Sequence, residues 1–143
     1  MSDINMQIKI YNSLPKEASD IRTEVFINEQ GFENEYDSID ETATHIVMFI
    51  GDMPVATCRV FWNAEMNSYV LGRLAVLKEH RGNNIGASVV EEAENHVRKT
   101  GKKQLMLHAQ CRITGFYKKL GYKEFGDVEY EEDCPHIWMK KEI

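Results

Sequence analysis

The sequence predicts a single domain of the α/β (α+β) class, built on a mixed, largely antiparallel sheet of six or seven strands with helices on both faces. The main observation is a strand, a turn rich in Gly and Asn, and an amphipathic helix in succession between residues 69 and 99. A further apolar strand follows the helix and completes a βαβ unit, whose two strands are expected to be parallel with a right-handed crossover. Two strands joined by short turns lead into this unit, which favours antiparallel neighbours. One domain is expected over the whole chain, residues 1–143.

Composition restricts the classes of partner. The formal net charge is −6 at pH 7, which argues against nucleic acid and favours cationic or neutral small molecules. No apolar run approaches the roughly 20 residues needed to span a bilayer, so no membrane partner is expected. The cysteines Cys58, Cys111 and Cys134 form no Cys-x-x-Cys motif, and the N-terminus lacks the basic and apolar regions of a signal peptide. We therefore expect reduced thiols and a cytoplasmic location.

The first predicted elements are a strand and a long helix. Gln7 to Tyr11 alternates apolar and polar residues, as is typical of a short strand. The helix is expected to have Asn12 or Ser13 as its cap and Pro15 in its first turn. It should run to about residue 30, where Gly31 ends it.

Two charged residues share the apolar stripe of this helix. The stripe consists of Ala18, Ile21, Val25 and Phe26. Arg22 and Glu29 fall on the same face by helical spacing. Such residues either extend to solvent from the edge of the core or belong to a site, and the edge position is favoured here.

Residues 32–44 form an acidic loop with little periodicity. Most of its charges are interpreted as solvated, although a loop of this length in a compact chain is often functional. His45 to Ile50 and Val55 to Trp62 are then predicted as strands. They are joined by a two-residue hairpin turn at Gly51-Asp52.

The central strand, Tyr69 to Leu77, leads into a turn that is suited to binding an anion. The helix after the turn carries Ile85, Val89, Ala93 and Val97 at intervals of four residues, which is one helical face. Unpaired N–H groups of a first turn, the helix dipole and nearby Gly together attract phosphate. Neither a Walker loop nor a Gly-x-Gly-x-x-Gly fingerprint is present.

The last part of the chain is predicted as strand, short helix and two strands. Leu105 to Ala109 is a nearly continuous apolar run, as expected of a buried parallel strand. The short helix presents Ile113, Phe116, Tyr117 and Leu120 on one face and ends at Gly121. Tyr122 to Phe125 and His136 to Lys140 are predicted strands, separated by an acidic loop from Gly126 to Pro135.

Three segments carry a resemblance to a known family. The turn Arg81-Gly82-Asn83-Asn84-Ile85-Gly86 resembles the pyrophosphate loop Arg/Gln-x-x-Gly-x-Gly/Ala of the GNAT superfamily of N-acetyltransferases. It departs at Asn84, where the family usually has Gly, but Asn tolerates a left-handed backbone better than other non-Gly residues. The segment Gly115 to Tyr122 resembles the family's Phe-Tyr-x-x-x-Gly-Phe element. The segments Arg22 to Gln30 and Tyr130 to Met139 are similar to the ElaA-like bacterial branch.

The resemblance implies a binding site for acetyl-CoA as co-substrate. In the family, the two central parallel strands separate and leave a strand edge for the pantetheine arm. By position, the backbone of Leu74, Ala75 and Val76 would form that edge, with the Val76 N–H near the thioester oxygen. The residues implied to hold the pyrophosphate and the rest of the cofactor are Arg81, Gly82, Asn83, Asn84, Gly86, Ala87 and Phe116.

The resemblance implies a general acid but does not identify the general base. Tyr117 corresponds to the Tyr that acts as general acid on the departing thiolate in many members, and the alternative is simple core packing beside Phe116. The general base is left open among Glu24, Glu29, His108 and His136, or water. Glu29 and His136 are predicted to contact the substrate.

The expected activity is transfer of an acetyl group from acetyl-CoA to a primary amine, on a small molecule or a lysine, by direct attack in a ternary complex. The acidic loop favours a cationic acceptor. A non-catalytic acyl-CoA sensor is the alternative, and Cys111 as nucleophile is a weaker one. No metal site is expected, because the combination of His45, Asp133, Cys134 and His136 lacks recognisable zinc spacing. A homodimer is compatible with the family's small members, but no interface can be identified from sequence.

Overall fold

The computed structural model describes residues 5–33 and 35–143. In this part of the chain the strands are β1 (Met6–Tyr11), β2 (Thr44–Ile50), β3 (Met53–Asn63), β4 (Ser68–Val76), β5 (Gln104–Gln110), β6 (Lys123–Glu131) and β7 (Cys134–Glu142). They form one seven-stranded sheet in the order β1-β2-β3-β4-β5-β7-β6. All neighbours are antiparallel except β4 and β5, which are parallel as the βαβ unit predicts. The predicted fold class is confirmed.

Helices cover both faces of this sheet. They are α1 (Lys16–Arg22), a π-helical segment (Thr23–Glu29) that continues it, α2 (Ile85–Arg98) and α3 (Thr114–Lys119). The first two pack on the face that carries Val47 and Phe49, and α2 packs on the opposite face with Ile46 and Cys58. The alternation of side chains along β2 therefore supplies both cores, and β4 adds Ala75 to one and Leu71 to the other. Within residues 5–33 and 35–143, no helix is long and apolar enough to cross a bilayer.

The two parallel strands separate soon after they meet. β4 and β5 pair only from Tyr69 to Leu71 and from Leu105 to Leu107. Beyond these residues, β4 stays paired with β3 through a bulge opposite Thr57 and Arg59. One side of β4 is thus left without a neighbouring strand in the described part of the chain. This opening in the sheet positions the site.

The first helix differs from the prediction at its start and in its type. Pro15 is the N-cap residue, and no side chain caps the helix, so the predicted cap at Asn12 or Ser13 is wrong. Extended dihedrals place Pro15 outside the helix rather than in its first turn. After Arg22 the backbone widens into π-helical geometry. Gly31 then adopts a φ of +80° and ends the helix, as expected.

The predicted loop from Gly126 to Pro135 is also wrong, because most of it is strand. β6 extends to Glu131, and β7 begins at Cys134. The connection is a two-residue turn in which Glu132 and Asp133 have φ values of +48° and +65°, as in type I′ hairpins. β6 is an edge strand whose residues are mostly exposed, so it lacks the apolar alternation that identifies a half-buried strand.

Residues 1–4 lie outside the described part of the chain and belong to the segment used in the signal-peptide argument. Asn34, in the acidic loop, also lies outside it.

Candidate active site

A cavity of about 380 Å³ lies where β4 and β5 separate. Its floor is formed by residues of β3, β4, β5 and β7, and its walls by the loop of residues 35–39 and the β6–β7 hairpin. The side chains relevant to chemistry are Arg59, Arg73, His108, Tyr117, Glu131 and His136. Leu74 also lines this cavity. A space of this size is in the range of small-molecule sites.

The turn before α2 has the geometry of an anion site. Gly82 and Asn84 adopt φ values of +86° and +61°, so Asn84 takes the left-handed backbone that its place in the motif requires. No side chain caps the N-terminus of α2, which leaves the N–H groups of its first turn available to a ligand. The predicted pyrophosphate residues Gly82, Asn83, Asn84, Gly86 and Ala87 all lie on this turn or the start of α2.

Gly86 and Phe116 are packed tightly together. A Cβ atom added to Gly86 would lie 3.2 Å from Phe116 Cζ and 3.7 Å from Val76 Cγ2. The loop, the end of β4 and α3 thus meet at a position that accepts only glycine without movement. The predicted cofactor residues on all three elements are neighbours.

Arg81 and Glu29 form an ion pair beside this turn. The Arg81 Nη1 and Nη2 atoms lie 2.5 and 2.7 Å from the Glu29 carboxylate oxygens, and Nε donates to the Val76 carbonyl at 2.9 Å. The hydrogen bond from Arg81 lowers the pKa of Glu29. The guanidinium therefore joins the π-helical segment to the end of β4. Glu29 faces a second pocket with Gln30 and Cys134, so the structure separates it from the cavity.

Tyr117 lines the cavity and belongs to the core on the face of the sheet that α2 covers. Its ring is almost fully buried and packs edge-on against Phe116 and Tyr122. Burial, with a smaller contribution from the nearby Cys58, raises the Tyr117 pKa above its ordinary value. Among the described residues no hydrogen-bond partner of its hydroxyl is found. The side chain is therefore a protonated donor at neutral pH.

Two histidines and a glutamate meet at the other side of the cavity. His108 Nδ1 donates to Glu131 Oε2 at 2.6 Å, and His136 Nε2 lies 3.9 Å from the same oxygen. The His108 ring stacks on Trp138 with centroids 4.7 Å apart. The pKa of Glu131 is lowered, mainly by the hydrogen bond from His108.

The orientation of His136 determines which nitrogen can accept a proton. Its Nδ1 lies 2.9 Å from the Cys134 carbonyl oxygen, which can only accept a hydrogen bond, so Nδ1 carries the hydrogen. In the neutral ring, Nε2 is then the lone-pair nitrogen. The hairpin turn that follows Glu131 thus fixes a basic nitrogen at the cavity. The sequence reasoning missed Glu131, because its segment was interpreted as a loop.

The acidic loop is not a solvated connection. Glu35 and Asp40 are 3% and 6% exposed, so the interpretation of their charges as solvated is wrong. Asp40 is hydrogen-bonded to Arg22 and Arg59, Asp37 to Arg59 and Arg73. Glu35 pairs with Arg22 and Arg73. These three carboxylates and three guanidiniums form a network, here called the arginine network, which holds the loop against the sheet.

Arg22 therefore belongs to this network rather than to the edge of the core. It is 1% exposed, and its pKa is raised, because the hydrogen bonds and charges of Asp40 and Glu35 outweigh the lowering by burial. Glu35, Asp37 and Asp40 therefore give no support to the predicted cationic acceptor, because arginines already neutralise them. A buried charge requires such a partner.

The residues considered for a metal site, and Cys111 as a nucleophile, do not come together in the cavity. His45, on β2, donates through Nε2 to the Asp40 carbonyl at 3.0 Å, whereas Asp133 and Cys134 belong to the β6–β7 hairpin. Among the described residues, no group of three or more His, Cys, Asp and Glu side chains could hold a metal ion. Cys111 is not among the residues that line the cavity.

Comparison with known proteins gives the family. Residues 14–143 match the model of the acetyltransferase (GNAT) domain. The chain is 33% identical over 130 residues to the uncharacterised N-acetyltransferase YjcF of Bacillus subtilis, a match that covers 89% of this chain and 91% of the relative.

Two solved structures are similar over nearly the whole chain. Escherichia coli ElaA superposes with a TM-score of 0.83 at 28% identity, covering 98% of this chain and all of that one. An aminoglycoside 6'-N-acetyltransferase complexed with coenzyme A has a TM-score of 0.75 at 20% identity, covering 95% and 96%. The separated strands and the uncapped glycine turn are consistent with the family that these matches give. The chain belongs to the GNAT family of N-acetyltransferases.

Proposed function

We propose that this N-acetyltransferase transfers an acetyl group from acetyl-CoA to a primary amine, on a small molecule or a lysine, by direct attack in a ternary complex. One observation carries the proposal. A single cavity at the separated strands is lined by a protonated tyrosine, Tyr117, and on its other side by the basic nitrogen of His136. The basic nitrogen can take a proton from the acceptor's ammonium group, and the tyrosine can give one to the departing thiolate.

The chain's residues fit acetyl-CoA as co-substrate. The uncapped first turn of α2 offers N–H groups to a pyrophosphate. The side of β4 without a strand neighbour offers backbone groups to the pantetheine arm at Leu74, Ala75 and Val76. One preorganised donor such as the Val76 N–H typically contributes about 3–4 kcal/mol to stabilising an oxyanion in a dry site. Arg81 fixes the end of β4 next to this N–H by donating to the Val76 carbonyl.

The proposed steps balance in atoms and charge. His136 Nε2 takes a proton from the acceptor's ammonium group, and Glu131 stabilises the resulting imidazolium. The neutral amine then attacks the thioester carbon, so a C–N bond forms while the C–S bond breaks. Tyr117 donates its proton to the departing thiolate, and the proton lost by the amide nitrogen restores the tyrosine. The His136 imidazolium then releases its proton to solvent, which restores the base.

The cysteines support direct attack rather than a covalent acetyl-enzyme. Within the described chain, no cysteine lines the cavity. Cys58 is buried, and burial raises its pKa to about 12, so it is a thiol at neutral pH. A thiol is a poor nucleophile compared with a thiolate.

Titration calorimetry of the protein with acetyl-CoA tests the cofactor site, with 3′-dephospho-CoA as the control ligand. We expect micromolar binding, followed by amine-dependent thiol release when a panel of primary amines is added. Absence of binding at millimolar acetyl-CoA would refute the enzyme proposal. Tight binding without turnover on any amine would favour an acyl-CoA sensor instead.

A further inference from the structure

Arg73 is an unusual residue in the wall of the cavity. It lies in the β4 bulge with a φ of +51°, a left-handed backbone that favours Gly or Asn rather than Arg. The bulge directs its side chain to the cavity, where 23% of it stays exposed. Strain of this kind usually persists where the side chain has a function.

The guanidinium of Arg73 is only partly engaged. Its Nε lies 2.6 Å from Glu35 Oε1 and donates to the Glu35 carbonyl at 3.1 Å. Its Nη2 lies 3.4 Å from Asp37 Oδ2, a long contact. Within residues 5–33 and 35–143 the Nη1 atom has no hydrogen-bond partner. One edge of a cation is therefore available at the cavity.

The charge of Arg73 is also less compensated than that of its neighbours. Glu35 is shared with Arg22, and Asp37 is shared with Arg59. Burial and the repulsion of Arg59 lower the pKa of Arg73 despite its two carboxylate partners. The pKa of Arg22, in the same network, is raised. An additional negative charge beside Arg73 would be stabilised.

We propose that the acceptor carries a carboxylate as well as its amine, and that Arg73 binds this carboxylate while His136 and Glu131 receive the amine. The inference rests on the proposed function and names its substrate class, an amino-carboxylate of small size. A monoanion is favoured over a phosphate, because Glu35 and Asp37 lie next to the binding edge and would repel a second negative charge.

The geometry of the cavity agrees with two separate poles. Arg73, Glu131 and His136 line the same cavity, so the cationic and acidic poles face one space. A hydrogen bond from the Glu33 N–H to Glu132 Oε1 at 2.9 Å joins the loop to the hairpin across the chain. The cavity is thereby walled on both sides, which suits a small molecule better than a protein surface.

The test is equilibrium binding to the CoA-loaded protein, which needs no turnover. Calorimetry would compare α-, β- and γ-amino acids with their carboxamides and with the amines that lack the carboxylate. We expect at least one amino acid to bind about tenfold or more tightly than its two analogues, as is usual for a charge-assisted hydrogen bond. Arg73→Gln should abolish the difference, and Arg73→Lys should retain part of it.

Arg98→Gln is the matched control, because Arg98 lies at the end of α2 and contacts Asn95 and Ile143 rather than the cavity. Its preference should equal that of the unaltered protein. Equal binding of carboxamides and amino acids, no binding of any of them, or a preference that survives in Arg73→Gln would overturn the inference. If Arg73→Gln does not fold, the ligand series on the unaltered protein and Arg73→Lys decides.

The two proposals fail in distinguishable ways. A carboxylate preference in binding without acetylation of any amine would reject the proposed activity and leave the binding pole in place. Acetylation of amines with no carboxylate preference would leave the activity in place and reject the role of Arg73.

Discussion

Replacing Asp40 with Asn should weaken the fold in a pH-dependent manner. Asp40 accepts hydrogen bonds from Arg22 at 2.8 and 3.0 Å and from Arg59 at 2.9 Å. Burial alone would raise its pKa, but these two arginines lower it from 3.8 to about 2. Each tenfold change in acid dissociation is equivalent to about 1.4 kcal/mol. The ionised carboxylate therefore contributes about 2 kcal/mol to the free energy of unfolding at neutral pH.

The sign follows from the lowered pKa. The stabilisation is fully present above the unfolded pKa near 3.8 and is lost as the pH falls through about 2. Urea unfolding of both proteins between pH 7 and pH 2 would measure it. The difference in the free energy of unfolding should shrink by about 2 kcal/mol over the acid part of that range. Glu35 titrates in both proteins, so its contribution largely cancels.

A further, pH-independent loss is expected in the variant, because the NH2 group of Asn replaces one of the two oxygens that accept hydrogen bonds from Arg22 and Arg59. Asp20→Asn is the control. Asp20 pairs with Lys16 on the exposed surface of α1, and an exposed pair of this kind contributes little to stability. A difference between Asp40→Asn and the unaltered protein that stays constant from pH 7 to pH 2 would refute the ion-pair account.

Three further predictions concern the site. Tyr117→Phe should lower turnover by about 10²-fold or more with little change in acetyl-CoA affinity; steady-state kinetics would show it, and unchanged turnover would remove Tyr117 from the mechanism. His136→Gln should likewise lower turnover by about 10²-fold with CoA binding retained in calorimetry, whereas full activity would leave water as the base. Gly86→Val should abolish acetyl-CoA binding with a normal circular dichroism spectrum, since its Cβ would lie 3.2 Å from Phe116; retained binding would mean that the pyrophosphate binds elsewhere.

The elements that bury an apolar face were predictable. Ile85, Val89, Ala93 and Val97 are all buried on one side of α2, as their spacing predicts. The apolar run of β5 lies parallel to β4, as the βαβ unit requires. In both cases the signal is local and repeats within the element. Asn84 adopts the left-handed backbone expected at its place in the motif, which Asn tolerates better than other non-Gly residues.

The hairpin that carries the candidate base was not predictable in the same way. β6 lies at the edge of the sheet, and Val128 and Tyr130 are exposed there. A strand that buries neither face has no reason to alternate apolar and polar residues. The signal that was present is the short polar pair Glu132-Asp133 ahead of a strand, but neither residue is Gly or Asn, which usually mark such turns.

The arginine network explains why charge in this sequence does not indicate the charge of the acceptor. Glu35, Asp37 and Asp40 look like a solvated acidic rim because their partners come from three other elements, α1, β3 and β4. Only Arg22, on an apolar helical stripe, signalled that a buried partner was needed. Once these pairs are formed, Glu35, Asp37 and Asp40 are neutralised, and the proposed ligand contacts are the open edge of Arg73 and Glu131, which line the same cavity. Recognition of the acceptor should therefore depend on these two side chains, and not on the net charge of −6.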